Sequence, residues 1–224
     1  MSELIGQGYV VIAPEYRGGA GYGEAFYDQI DYGGREIEDV YLGGQWTLEH
    51  YGFVGRDRVG ILGWSHGGFI TLWNTFKYPE AYKVAYAGTP VSNLALRAGT
   101  KARGSRGYPV DEYGAPSGIG KSAYDNVQEY VRRSPAYNAH MLQTPLLVHA
   151  ATNDSDVNVF EVDQLIEAFK AKGKQVEYKV YQDPPGEHSF ELINTSVGEQ
   201  ARLEVYRFLA RYLNPPNPPS QAGQ

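Results

Sequence analysis

The fold is decided by one stretch: Arg58-Val59-Gly60-Ile61-Leu62, then Gly63-Trp64-Ser65-His66-Gly67-Gly68, then Phe69-Ile70-Thr71-Leu72-Trp73-Asn74-Thr75-Phe76. A short apolar run, a G-x-S-x-G pattern and a helix-like segment follow one another, the strand–turn–helix setting of a nucleophile elbow. Such a turn holds its serine in a strained conformation with the hydroxyl exposed. The flanking glycines are expected because a Cβ two residues to either side would strike the neighbouring strand or helix. A chain of this composition produces G-x-S-x-G by chance about 0.16 times, so the pattern acquires meaning only through its partners.

A serine hydroxyl is not ionised at neutral pH, so a serine nucleophile needs a base and the base needs an orienting carboxylate. In folds with this elbow the chain order is Ser, then Asp or Glu, then His, on loops after successive strands. Asp154 follows the apolar run Leu146–Ala150, with Asp156 as its rival, and His188 follows the run Val176–Tyr181 within Pro184-Pro185-Gly186-Glu187-His188-Ser189-Phe190. Enough chain separates the pair for one helix and one strand. The other histidines fit less well. His50 precedes the serine, and His66 lies on the elbow itself, where its useful group is the backbone N–H. His140 sits in a polar turn, and His149 lies within a strand as a buried, hydrogen-bonded residue.

The 224 residues are 42% hydrophobic and 21% charged, with a net charge of −6. That length makes one domain with a sizeable core. The negative balance excludes general binding to nucleic acid or anionic membranes, which requires a basic face. A local basic patch, Arg97, Lys101, Arg103 and Arg106, reads as a solvated loop or as a source of one arginine for a substrate carbonyl or carboxylate. The absence of cysteine removes disulfides and thiol nucleophiles. No apolar run approaches the ~20 residues of a membrane span. The first residues lack a basic n-region and a cleavage site, so they do not read as a signal peptide. This leaves the compartment open, tilted toward the cytoplasm.

Five apolar runs read as buried parallel strands: Tyr9–Ala13, Val59–Leu62, Val84–Ala87, Leu146–Ala150 and Val176–Tyr181. Helical stripes lie between most of them: Ile37, Val40, Tyr41, Gly44, Thr47 and Leu48; then Phe160, Leu165, Ile166 and Phe169, ended by Gly173; finally Val197, Ala201, Val205, Phe208, Leu209 and Tyr212. Alternation of strand and helix implies an α/β fold with a mostly parallel sheet and helices on both faces. Thr89 to Tyr137 interrupts the rhythm with a Gly-, Pro- and Tyr-rich stretch carrying at most a short helix near Tyr124–Arg132. Its Tyr108, Tyr113, Tyr124 and Tyr137 either line a pocket or pack elsewhere. The Pro-rich tail, residues 214–224, is expected to be disordered. Arg17-Gly18-Gly19-Ala20-Gly21-Tyr22-Gly23 could cradle phosphate, but the G-x-G-x-x-G spacing is not met, so no dinucleotide or other cofactor is expected. No clustered His/Asp spacing suggests a metal.

Several segments together resemble the prolyl oligopeptidase family, in particular its acylaminoacyl-peptidase and dipeptidyl-peptidase branch. They are Pro14–Glu24, Asp31–Asp39, Gly63–Gly68, Arg133–Tyr137, Thr144–His149, Thr152–Val157 and Gly186–Phe190, and the likeness runs from about residue 6 to residue 213. The resemblance implies an α/β-hydrolase fold and a serine peptidase acting on small peptides or acylated peptides. It places the catalytic acid three residues before Val157, at Asp154 rather than Asp156. Two departures are Ala150, where the family usually has glycine, and Asn158, where proline is common; neither touches the triad. It also implies that Tyr9–Ala13 is the fourth strand. The first strands, the loop that supplies half the oxyanion hole and a gating β-propeller are then expected upstream, with Met1 an internal methionine.

The expected mechanism is acyl transfer to water. Ser65 attacks, His188 moves the proton, Asp154 orients the imidazole and the His66 N–H supplies one oxyanion donor. Loss of a donor typically costs about 10²–10³ in rate, so this stretch alone should be a poor enzyme. Two other readings stand beside it: a carboxylesterase using the same residues, and a non-catalytic binding module on the same fold. Oligomeric state is not readable from the sequence.

Overall fold

A computed structural model describes residues 1–100, 119, 123 and 125–220 of the chain. In order the elements are α1 (Ser2–Gly6), α2 (Glu24–Tyr27), α3 (Arg35–His50), β1 (Gly60–Trp64), α4 (His66–Lys77), β2 (Val84–Gly88), α5 (Leu94–Thr100), α6 (Val127–Arg132), β3 (Leu146–Ala151), α7 (Val159–Ala171), β4 (Glu177–Tyr181) and α8 (Ser196–Leu213). The four strands form one parallel sheet in the order β1-β2-β3-β4. Gly60 pairs with Val84, Ala85 with Leu146 and Leu147 with Glu177, so all four carboxyl ends reach the same edge.

Side chains alternate across each strand, and the two faces bury different helices. Ile61, Ala85, Ala87, Leu146, Val148 and Ala150 share a cluster with Phe69 and Leu72 of α4 and with Leu165 and Phe169 of α7. Val84, Tyr86 and Leu147 pack against Val205, Phe208, Leu209 and Leu213 of α8. Helix ends follow local chemistry. The Asn158 side chain accepts from Phe160 N and starts α7, so asparagine at this position supplies a cap. Thr195 does the same for α8, which stops where Asn214 turns left-handed (φ 46°) before Pro215.

The structure corrects several expectations. Tyr9–Ala13 is not a strand. Tyr9 and Val11 face the α8 cluster while Val10 and Ile12 are exposed, so the alternation is that of a strand. A strand also needs a ladder neighbour, and none of the four described strands pairs with it. Phe160 is exposed on α7, where Val162 takes the buried place instead. The irregular stretch carries a second helix, α5, and a 3₁₀ turn at Pro135–Met141. Within the tail, Asn217 N donates to Gln7 O (3.1 Å) and Arg207 Nη2 to Ser220 O (2.8 Å). Lys101, Arg103, Arg106, Tyr108, Tyr113, Tyr124 and 221–224 lie outside the described residues. Among the described residues no helix is long and apolar enough to cross a membrane.

Helix α6 is pinned by ion pairs. Arg133 Nε contacts Glu129 (2.6 Å), and its Nη1 donates to Asp31 (2.6 Å) and to Tyr32 O (2.8 Å). Arg132 grips the same Glu129 carboxylate. The Arg132 hydrogen bonds outweigh burial and, with Arg133, pull the Glu129 carboxyl down from 4.5 to about 2. A carboxyl lowered on folding contributes stability above its unfolded value, and that contribution is lost as pH falls through the folded value. NMR titration should give a Glu129 midpoint near 2, and Arg132→Ala should return it toward the ordinary range, weakening α6 docking at neutral pH and making no difference in acid, where the carboxyl is protonated in both proteins.

Candidate active site

The elbow is built from two close backbone approaches. A Cβ on Gly63 would lie 2.1 Å from the Gly67 carbonyl oxygen, and one on Gly68 would lie 2.9 Å from the Pro90 side chain. A Cβ on Gly67 would meet nothing within 4 Å. The steric demand therefore falls on Gly63 and Gly68, whereas the sequence pattern assigned it to Gly63 and Gly67. Between them Ser65 adopts φ 60° and ψ −118°, a conformation costly for a residue with a side chain and held only by its surroundings. Ser65 N donates to Gly88 O at the end of β2 (2.8 Å), and Ser65 O accepts from Phe69 N (3.0 Å).

Loops after β3 and β4 bring the other two residues over this turn. Asp154 Oδ1 accepts from Asp156 N (2.8 Å) and Val157 N (2.7 Å), which leaves Oδ2 for His188 Nδ1 at 2.7 Å. His188 Nε2 lies 2.9 Å from Ser65 Oγ. Both Asp154 and His188 are buried. Asp156, the rival acid, enters through its backbone, its N–H on Asp154 and its carbonyl accepting from Arg97 Nη1 (2.7 Å). Arg97 is buried and also paired with Glu161 (3.1 Å), so it braces the acid loop; it is neither a solvated side chain nor a substrate arginine. Burial pushes the Glu161 carboxyl up against the pull of Arg97.

The remaining expected residues are placed as follows. His66 opens α4, with its ring stacked on Tyr32 (4.4 Å between centroids), its Nδ1 3.4 Å from the Tyr16 hydroxyl and its Nε2 3.6 Å from Glu36. Glu36 is fully buried and accepts from Gly33 N and Gly34 N. His149 is fully buried, His50 accompanies Trp46 on α3, and Tyr137 is exposed. The glycine-rich loop after Tyr16 serves an ion pair, with Arg17 Nε and Nη2 on Asp39 at 2.6 and 2.7 Å. Among the described residues no three His, Cys, Asp or Glu side chains form a metal-holding group.

Sequence reasoning missed Trp64, an unspecified position of the motif. Its Nε1 donates to His188 O (3.0 Å) and its ring lies against the imidazole. It also missed the ties between loops: Ser155 Oγ to Glu187 (3.0 Å), Thr152 Oγ1 to Asp183 (2.9 Å) and Asn153 Nδ2 to Pro184 O (3.2 Å). No local pattern signals these contacts, because every partner lies more than thirty residues away, a separation that only tertiary folding closes.

A family model described as "Prolyl oligopeptidase family" matches residues 1–216. Dipeptidyl peptidase 8 of Homo sapiens is 29% identical over 95% of this chain and 22% of its own length. The acylamino-acid-releasing enzyme of Arabidopsis thaliana is 28% identical over 92% of this chain and 27% of its own length. The chain thus spans about a quarter of the curated relatives it matches. Among solved structures, the acylaminoacyl peptidase of Pyrococcus horikoshii superposes with a TM-score of 0.77 at 21% identity, over 93% of this chain and 32% of its own. That likeness establishes the α/β-hydrolase fold.

The two glycines of the motif should respond in opposite ways. Gly63→Ala should destabilise the protein by about 3 kcal/mol or more, since its Cβ has no room to relax against backbone. Gly67→Ala, inside a helix with open space around it, should be neutral or stabilising by up to about 1 kcal/mol. Urea unfolding of both variants checks this.

Proposed function

Because the chain belongs to the prolyl oligopeptidase family, we propose that it is a serine peptidase that hydrolyses short peptides or acylated peptides through an acyl-enzyme, with residues 1–213 as the catalytic unit. The observation that carries this reading is the unbroken line from Asp154 Oδ2 through His188 to Ser65 Oγ, with steps of 2.7 and 2.9 Å. A carboxylate on Nδ1 holds the proton there and leaves the Nε2 lone pair facing the hydroxyl, the tautomer a general base needs.

Ser65 Oγ attacks the substrate carbonyl while Nε2 takes its proton. His188 then protonates the leaving amine, and water enters by the reverse sequence. Asp154 stabilises the imidazolium without itself taking a proton. The N–H groups of a helix's first turn find no acceptor within their own helix, which suits that of His66 to the developing oxyanion. The substrate class rests on the names of the relatives, a dipeptidyl peptidase and an acylamino-acid-releasing enzyme.

A fluorophosphonate probe should label Ser65 in the full chain, and His188→Ala should abolish labelling. Asp154→Asn should lower kcat by about 10⁴-fold by favouring the wrong tautomer. Turnover of aminoacyl- or acylaminoacyl-anilides supports the peptidase. Turnover of p-nitrophenyl esters alone would move the assignment to a carboxylesterase, and a folded protein that is not labelled would leave a binding module.

A further inference from the structure

Beneath the sheet's carboxyl edge, on the face covered by α8, lies a buried polar cluster that the mechanism above does not use. Glu191 is three residues past His188 and is almost completely buried. Its Oε1 lies 2.7 Å from His149 Nδ1, and its Oε2 accepts from the Tyr86 hydroxyl. The Tyr86 hydroxyl is also 3.3 Å from His149 Nδ1, so the three groups close a ring. The His149 imidazole is itself fixed between the rings of Tyr86 and Tyr181, both set nearly edge-on to it. Burial, with Glu191 beside it, pushes the Tyr86 hydroxyl well above 10, which keeps it a donor.

This cluster joins two parts of the active site. Tyr86 and His149 belong to β2 and β3, the central pair of the sheet. A Cβ on Gly88 would come within 3.1 Å of Glu191 Oε2, so the carboxylate rests against the residue whose carbonyl accepts the Ser65 N–H. The other end of the loop is tied to α8, where Arg202 Nη1 donates to the carbonyls of Glu191 (2.8 Å) and Ile193 (3.1 Å). The loop has one large apolar anchor next to His188, the fully buried Phe190 against Tyr181. Apolar burial is non-directional and does not by itself fix rotation about that ring. At and before His188 the Trp64 and Ser155 contacts hold the loop, and past it Glu191 is the side chain whose hydrogen bonds reach back to the sheet. Hydrogen bonds to two fixed groups are directional and fix that rotation. A buried carboxylate is costly unless fully paired, so the loop has one low-energy seat.

Resting on the Ser65–His188–Asp154 reading, we infer that Glu191 is a positioning residue. Gripped by Tyr86 and His149, its carboxylate sets the height and rotation of the loop that carries the His188 imidazole between Asp154 and Ser65. It touches no reacting atom and acts through His188.

The test compares the full chain with Glu191→Ala, Glu191→Gln, Tyr86→Phe and His188→Ala. The readouts are the rate of fluorophosphonate labelling at Ser65, kcat and KM on a p-nitrophenyl ester, and the melting temperature. A displacement of the base by ~1 Å costs about 10²-fold, so Glu191→Ala should label and turn over about a hundredfold more slowly with KM essentially unchanged. Glu191→Gln keeps an acceptor for Tyr86 and should recover most of the rate. Tyr86→Phe should cost about tenfold. The downfield proton resonance of the Asp154–His188 hydrogen bond should shift or broaden in Glu191→Ala and be retained in Glu191→Gln. If Glu191→Ala labels at the wild-type rate with only a lower melting temperature, the residue serves stability alone and the inference is overturned. If that variant does not fold, Tyr86→Phe decides, and a wild-type labelling rate there overturns it equally. Undiminished labelling of His188→Ala would instead overturn the triad reading, whatever the Glu191 variants do.

Discussion

The approach of the Gly63 backbone to Gly67, where no β-carbon fits, is the constraint from which the site follows. It lets β1 pass into α4 with a single residue at the corner, and that residue is driven to φ 60°. A serine so held projects from the sheet's carboxyl edge instead of joining strand or helix. The strain is contained because the Ser65 N–H and carbonyl are both bonded, to Gly88 and Phe69. Parallel strands then do the rest. All four end at the same edge, so any loop leaving β3 or β4 is delivered to the serine.

What holds those loops is a mesh of short polar ties more than apolar burial. Asp154 spends one oxygen on two backbone N–H groups and presents the other. The acid and histidine loops are stitched together by Ser155–Glu187, Thr152–Asp183 and Asn153–Pro184. Arg97 secures the acid loop from α5, and Trp64 secures His188 from the elbow itself. On the opposite side Tyr86, His149 and Glu191 form a second clamp. The buried members of this mesh, at Asp154, His188, Tyr86, His149 and Glu191, are strong when satisfied and costly when broken, which favours a single arrangement.

Much of this was legible in the chain. Four of the five apolar runs are strands, and the helical stripes of α3, α7 and α8 lie where their periodicity puts them, because burial on one face imposes a repeat that the sequence must carry. The family pattern at Val157 pointed to Asp154, the carboxylate that meets His188. The misses share one cause. Tyr9–Ala13 has the alternation of a strand, but pairing depends on a neighbour that its own residues do not specify. Phe160 is apolar and exposed, since its place on the stripe says nothing of what stands opposite. Gly67 belongs to the motif yet lies in open space, whereas Gly68, outside its five positions, meets Pro90.

The sequence by itself determined the alternation of strand and helix, the elbow and the chain order of serine, acid and histidine. These are encoded locally, in periodicity, in glycine placement and in residues read against their immediate neighbours. Only the tertiary structure decided that Asp156 and Arg97 serve as braces, that Trp64 holds His188, and that Glu191 meets Tyr86 and His149. Each is a contact between residues far apart in the chain, where distance and orientation depend on how sheet and helices pack, and no local pattern carries that information.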